Sequence, residues 1–189
     1  MKIVSLLGSP RKKGNSTQLA GIVTSTLKEK GNSVTEYFLN ELVFKGCQAC
    51  MACKGKSESC VVKDDLAPVL EAVKEADVIM MATPVYWGEI SAQLKSFIDR
   101  TYSYLTPGFM TEEIKHRLPK GKKLVFIQSQ GAPQELYADV FERYNAFFKM
   151  LNYFDETHLL RGCELNELGQ AMKRDDLVTR AKEIAEKLL

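Results

Sequence analysis

The chain has 189 residues, of which 45% are apolar, 26% charged and 9% aromatic, which suits one ordinary domain able to bury roughly 70% of its unfolded surface. Twenty-six basic and 24 acidic residues leave a net charge of +2, and no long block of one sign marks a nucleic-acid or anionic-membrane partner. The apolar runs fall far short of the ~20 residues that span a bilayer, and no secretory core follows a basic start, so a cytoplasmic location with no nucleic acid and no membrane partner is expected.

In chain order, Met1 to Leu7 reads as a buried strand ending at Gly8. A polar loop leads into a helix from about Ser16 to Lys30, with apolar contacts at Leu19, Ile22, Val23 and Leu27 and Gly31 to close it. Val34 to Leu39 reads as a second strand. The segment 46–63 carries no periodicity and holds four of the five cysteines. Asp64 and Asp65 then complement the start of a helix whose apolar face is Leu66, Val69, Leu70, Val73 and Ala76.

Val78 to Thr83 has the all-apolar character of a strand covered on both faces. Ile90, Leu94, Phe97, Ile98 and Thr101 mark the next helix, and about Tyr104 to Gly121 is a long connection. Lys122 to Ser129 is a further buried strand. A helix follows over Leu136, Val140, Phe147 and Leu151, then a strand over Tyr153 to Leu160 and a final helix over Leu177, Ala181, Ile184 and Leu188. Five strands alternating with five helices predict one α/β domain over 1–189, a flavodoxin-like three-layer sandwich with a five-stranded parallel sheet. Ligands of such sheets bind beyond the C-terminal strand ends.

Three strand ends carry usable chemistry. The first, GSPRKKGNST from Gly8 to Thr17, opens straight into a helix. Its hydroxyls at Ser9, Ser16 and Thr17, its cations at Arg11, Lys12 and Lys13 and the free N–H groups of the helix start make a competent phosphate cradle. It is neither a Walker loop nor a dinucleotide fingerprint, because the glycine spacing is wrong for both; the plainer alternative is a polar turn capped by Ser16 or Asn15. The third strand ends in Thr83, Pro84, Val85, Tyr86, Trp87 and Gly88, a stiff loop with flat side chains to lie along a planar ring or to cover an interface. The fourth ends in QSQGAP, where Gly131 permits close approach. Together they specify a phosphorylated planar ligand, and FMN fits.

GSPRKKGNST, TPVYWGEISAQLKSFIDR and the intervening GCQACMACKGKSESCVVKDD resemble the flavodoxin-like NAD(P)H-dependent FMN reductase family. Within it the sequence is most similar to the iron–sulfur flavoprotein branch and its cysteine-bearing relatives. The resemblance is strong over about the first 105 residues and mainly topological after that. It implies FMN phosphate at Ser9, Arg11, Asn15, Ser16 and Thr17, with the flavin ring against Pro84 to Gly88 and Gly131 at another edge. It also implies NAD(P)H as donor, and a homodimer or homotetramer with FMN at subunit contacts, for which 104–121 is the candidate.

Cys47, Cys50, Cys53 and Cys60 follow C-x2-C-x2-C-x6-C. The opening steps match a cluster-binding run, while the last gap is longer than in bacterial ferredoxins and no proline follows. The spacing resembles the compact motif of iron–sulfur flavoproteins, which implies a [4Fe-4S] cluster. Lys45, Lys54, Lys56 and Lys63 could offset its negative charge, and Gly46, Ala49, Ala52 and Gly55 let the loop fold tightly. Structural zinc on the same ligands and metal-free thiols stay open. His116 reads as a solvated loop residue beside a basic patch, His158 as structural and Cys163 as a buried small apolar group. Asp99 and Arg100 read as local pairing residues.

No side-chain acid or base is needed where the flavin carries the chemistry. The expected activity passes electrons from NAD(P)H or a ferredoxin-like redox protein to a small-molecule acceptor, with a cluster splitting electron pairs. The rivals are a metal-free quinone or nitro reductase, a flavodoxin-like electron carrier without turnover, and a phosphate-binding regulatory module.

Overall fold

A computed structural model describes all residues from Met1 to Leu189. Strand β1 (Lys2–Leu7) leads to α1 (Asn15–Glu29) and β2 (Ser33–Phe38), and the cysteine segment separates β2 from α2 (Leu66–Glu75). Next come β3 (Val78–Tyr86), a two-residue β4 (Glu89–Ile90) and α3 (Ala92–Arg100). The chain finishes with β5 (Lys123–Ser129), α4 (Asp139–Met150), β6 (Glu156–Gly162) and α5 (Asp175–Leu188).

The parallel strands lie in the order β2-β1-β3-β5-β6, as flavodoxin-type winding requires. Central β3 keeps Val78 to Thr83 buried, whereas edge strand β2 is only half covered. One face of the sheet packs on α1 and α5 through Leu19, Val23, Leu27, Ala181 and Ile184. The other packs on α2, α3 and α4 through Val69, Val73, Leu94, Phe97, Val140 and Phe148. The three-layer α/β arrangement is therefore present.

The strand count needs correction, since β4 makes a sixth strand. It pairs antiparallel with the end of β3, Val85 opposite Ile90 and Tyr86 opposite Glu89, so TPVYWGEI is a hairpin and Ile90 lies in a strand. Trp87 and Gly88 form its two-residue turn, with φ of 51° and 75°; two successive positive φ values are the turn geometry that matches strand twist. Helix α3 starts only after Ser91, whose hydroxyl accepts the Leu94 N–H at 3.4 Å. Helix α4 starts at Asp139, because Tyr137 at φ 62° cannot be helical. Strand β6 starts three residues later than expected, at Glu156.

Register brings three loops to one edge. Leu7 pairs with Ala82, Pro84 with Ser129, and Ser129 with Gly162, so the loops after β1, β3 and β5 leave the sheet side by side. The order reverses between β1 and β3, the place where such sheets bind ligands.

Candidate functional site

The loop after β1 is a tight polar nest. The Ser9 hydroxyl accepts the Arg11 N–H at 3.1 Å and donates back to the Arg11 carbonyl at 3.2 Å, and Thr17 donates to that carbonyl at 3.3 Å. Gly14 sits where a Cβ would come within 2.7 Å of Ser9 Oγ, so only glycine lets the loop close this far. Gly14 caps α1 without a side chain, and the first helical bond on this turn runs from Gln18 N to Gly14 O at 2.9 Å. Neither Ser16 nor Asn15 is the cap. The first-turn N–H groups are left for a ligand, on the positive end of the helix dipole.

Ser16 Oγ is buried and has no hydrogen-bond partner. A buried hydroxyl without a partner is uncommon in a folded protein; here it belongs to the loop that the sequence marks as a phosphate cradle. Asn15 behaves differently. Its amide nitrogen donates to the Leu165 and Glu167 carbonyls at 3.3 and 2.9 Å, and its oxygen accepts the Ala171 N–H at 3.0 Å. Its side chain ties α1 to the β6–α5 loop.

The three strand-end loops face one cleft of roughly 430 Å³. Ser9, Arg11, Asn15 and Ser16 line it from the first loop, Pro84, Val85 and Tyr86 from the hairpin, and Gly131 from the third. Ser129, Gln130 and Leu165 also line it. In sequence Gln130 shows only as a polar residue at the end of an apolar strand, whereas the structure buries its side chain beside the cleft. Thr17, Thr83, Trp87 and Gly88 do not line it, and Trp87 and Gly88 form the hairpin tip. The Trp87 indole is fully exposed. Thr83 is buried, its hydroxyl accepting the Ser91 N–H at 2.9 Å and donating to the Pro84 carbonyl at 2.8 Å.

The cysteine segment is a loop with one short turn at Ala52–Lys54 and left-handed backbone at Ala49 and Met51, φ 50° and 57°. Non-glycine residues hold that conformation only under local constraint. Cys47, Cys50, Cys53 and Cys60 all line one small, mostly apolar pocket together with Arg100 and Tyr102. All are free thiols, Cys47 and Cys50 exposed and the others half-buried.

Three cations surround this cavity. Lys54 Nζ donates to the Tyr102 and Leu105 carbonyls at 2.6 and 2.9 Å, lies 4.0 Å from the Tyr102 ring centre and 3.7 Å from Cys53 Sγ. Arg117 donates to the Ser103, Leu105 and Cys53 carbonyls. Arg100 Nε donates to Cys60 Sγ at 3.1 Å. In sequence Lys54 reads as one of several offsetting charges and Arg100 as a local pairing residue, with no link to the cysteines. Arg100 pairs with Asp64, 36 residues away, while Asp99 does pair locally, with Lys95 at 2.6 Å.

No three His, Cys, Asp or Glu side chains stand around one metal-ion position. Four thiols on one cavity are nevertheless a donor set of the number and chemistry that a four-cysteine cluster or a zinc ion takes.

Other expectations resolve simply. His116 is half-buried: its Nδ1 accepts the Leu118 N–H at 3.1 Å and its Nε2 lies 2.7 Å from the Asn152 carbonyl, the pattern of a neutral ring carrying its proton on Nε2. Cys163 is half-buried rather than buried, and burial pushes its thiol up. The 104–121 connection folds on itself through a Leu105–His116 bridge and a Thr106 N–H bond to the Lys115 carbonyl.

Comparison with known proteins decides the family. Residues 1–150 match the family model for NADPH-dependent FMN reductases. The chain belongs to that family. An iron-sulfur flavoprotein from Archaeoglobus fulgidus is 36% identical over 104 residues, 55% of this chain and 47% of that protein. One from Methanosarcina thermophila is 38% identical over 101 residues, 53% of this chain and 52% of that one. The chain thus spans about half the length of these relatives.

Among solved structures, an FMN-dependent NADH-azoreductase from Bacillus anthracis in complex with FMN superposes with a TM-score of 0.74 at 14% identity, covering 99% of this chain and 98% of that one. The NAD(P)H:quinone oxidoreductase of Methanothermobacter marburgensis gives 0.75 at 19%, covering 100% and 96%. At such identities the likeness is one of fold. This FMN reductase family member also has no helix long and apolar enough to cross a membrane.

Proposed function

We propose that this protein is an FMN-dependent oxidoreductase that uses NAD(P)H to reduce a small acceptor. Family membership supports the reaction class, and the observation that carries the site is the buried, unpartnered Ser16 hydroxyl beside free first-turn N–H groups. Ser9, Arg11, Ser16 and Thr17 would hold the phosphate, Asn15 would fix the helix that presents it, and Thr83 to Gly88 with Gly131 would position the ring. Bound FMN would supply two-electron redox chemistry with a nicotinamide nucleotide as donor. The polypeptide binds, orients and shields, and no acid or base residue is assigned.

The finer reading is an iron–sulfur centre on Cys47, Cys50, Cys53 and Cys60. Four thiols on one cavity flanked by Lys54, Arg100 and Arg117 support it, as do the printed names of the relatives. Such a centre would supply one-electron steps toward a ferredoxin-like partner or acceptor. A homodimer or homotetramer working in the cytoplasm, with the self-folded 104–121 segment at a subunit contact, completes the proposal.

Flavin, iron and sulfide per chain on anaerobically purified protein test both parts. FMN with about four irons supports the whole reading, and FMN without iron leaves the metal-free quinone or nitro reductase. Flavin that NAD(P)H fails to bleach points to an electron carrier. A chain that binds no FMN when it is supplied defeats the proposal.

A further inference from the structure

The geometry points to Arg100 as a positioning residue: it closes the neck of the cysteine loop and presents the Cys60 sulfur to the centre the four cysteines hold. The inference rests on the iron–sulfur reading of that cavity.

Arg100 ends α3, 1% exposed. A guanidinium has five N–H donors in a rigid fork, and here each finds an acceptor. Nη1 donates to the Lys45 carbonyl at 2.9 Å and to Asp64 Oδ2 at 2.8 Å. Nη2 donates to the Val62 carbonyl at 3.1 Å and to Asp64 Oδ1 at 3.3 Å. These four bonds join the chain just before Cys47 to the chain just after Cys60. Asp64 locks the same neck from the other side, accepting the Lys45 N–H and the Leu66 N–H, both at 3.2 Å.

The fifth donor, Nε, points at Cys60 Sγ, 3.1 Å away. Closing the neck does not require that bond. Burying a cation is costly unless it is paired and fully hydrogen-bonded, and Arg100 meets that condition only with one N–H on a sulfur. Reduction makes a thiolate-bound centre more negative, so an N–H and a buried cation at one sulfur favour the reduced state and raise the potential. Lysine keeps the charge but lacks the planar fork, and cannot serve both the neck and the sulfur.

The experiment uses the full chain purified without oxygen. R100K is expected to keep wild-type FMN, since the flavin cleft contains no atom of Arg100. Its iron and sulfide per chain should fall several-fold, and any centre it retains should show a lower midpoint potential and an altered EPR spectrum. Wild-type protein labelled with 15N-arginine should show, by pulsed EPR of the reduced centre, coupling to one arginine nitrogen; this arm needs no variant to fold. R100K matching wild type in iron, potential and EPR, or no nitrogen coupling in the labelled protein, overturns the proposal alone. Wild-type protein that holds FMN but neither iron nor sulfide, even after reconstitution with ferrous iron and sulfide, overturns it together with the reading beneath it.

Discussion

The Thr83 hydroxyl bridges the two arms of the hairpin, taking the Ser91 N–H at 2.9 Å and giving its own proton to the Pro84 carbonyl at 2.8 Å. One buried side chain thus ties β3 to the residue that caps α3. Thr83→Val keeps the shape and removes both bonds, stranding the Ser91 N–H. A loss of about 1–3 kcal/mol in urea unfolding is expected, with weaker FMN binding if, as proposed, the hairpin positions the ring. An unchanged flavin titration would show that the hairpin does not position the ring.

Ser16 and Asn15 are neighbours with opposite expected phenotypes. Ser16 Oγ has no partner in the chain, so Ser16→Ala should leave the flavin-free protein within about 0.5 kcal/mol of wild type. A hydrogen bond to a charged phosphate is worth about 1.5–3 kcal/mol, so FMN affinity should drop roughly 10- to 150-fold. Asn15→Ala removes three hydrogen bonds to the β6–α5 loop and should lower the melting temperature of the flavin-free chain. Flavin titration and thermal melts on both variants separate ligand from staple.

Trp87 is expected to matter to chemistry and not to folding. Its ring is fully exposed, and Trp87→Ala should shift stability by no more than about 0.5 kcal/mol. Steady-state kinetics should instead show a raised KM for the nicotinamide or the acceptor. A variant with wild-type kinetics would assign the ring to a subunit contact, which the oligomer's sedimentation would then report.

The hairpin carries its own pH dependence. Burial alone would raise the Glu89 carboxyl, but hydrogen bonds from the Ile90 N–H, the Tyr144 hydroxyl and Arg143, at 2.8 to 2.9 Å, bring it below the usual glutamate value. A depressed folded value means stability fully present above the unfolded glutamate value, about 4.3, and lost as pH falls through the folded one. Urea midpoints for wild type and Glu89→Gln should differ at neutral pH and converge as pH falls toward about 3. A constant gap would remove Glu89 from the acid response.

The sheet was legible because buried parallel strands write themselves as short apolar runs, and Val78 to Thr83 is such a run. The polar loop after β1 was legible from glycines and hydroxyls at a strand end. The hairpin was not: Trp-Gly is not a usual turn pair, and Ile90, Leu94 and Phe97 keep helical spacing although Ile90 lies in a strand. Leu136 misled in the same way, continuing a helical face that Tyr137 interrupts. Arg100 defeated local reading entirely, because its partners lie 36 to 55 residues away. Asn15 reads in sequence as one residue of a polar loop, but its partners in the chain lie at Leu165, Glu167 and Ala171, 150 to 156 positions on.

That last tether has a consequence for how this chain can be divided. Detectable family likeness covers residues 1–150, yet the helix that would present the phosphate is fastened to the segment after β6, and α5 supplies Leu177, Ala181, Ile184, Ala185 and Leu188 to one face of the sheet. A fragment cut where the likeness fades would lose an edge strand, half the cover of that face and the anchor of its ligand loop. What the family model recognises is therefore smaller than what must fold together, and the final fifth of the chain holds Asn15 through backbone atoms, not side chains.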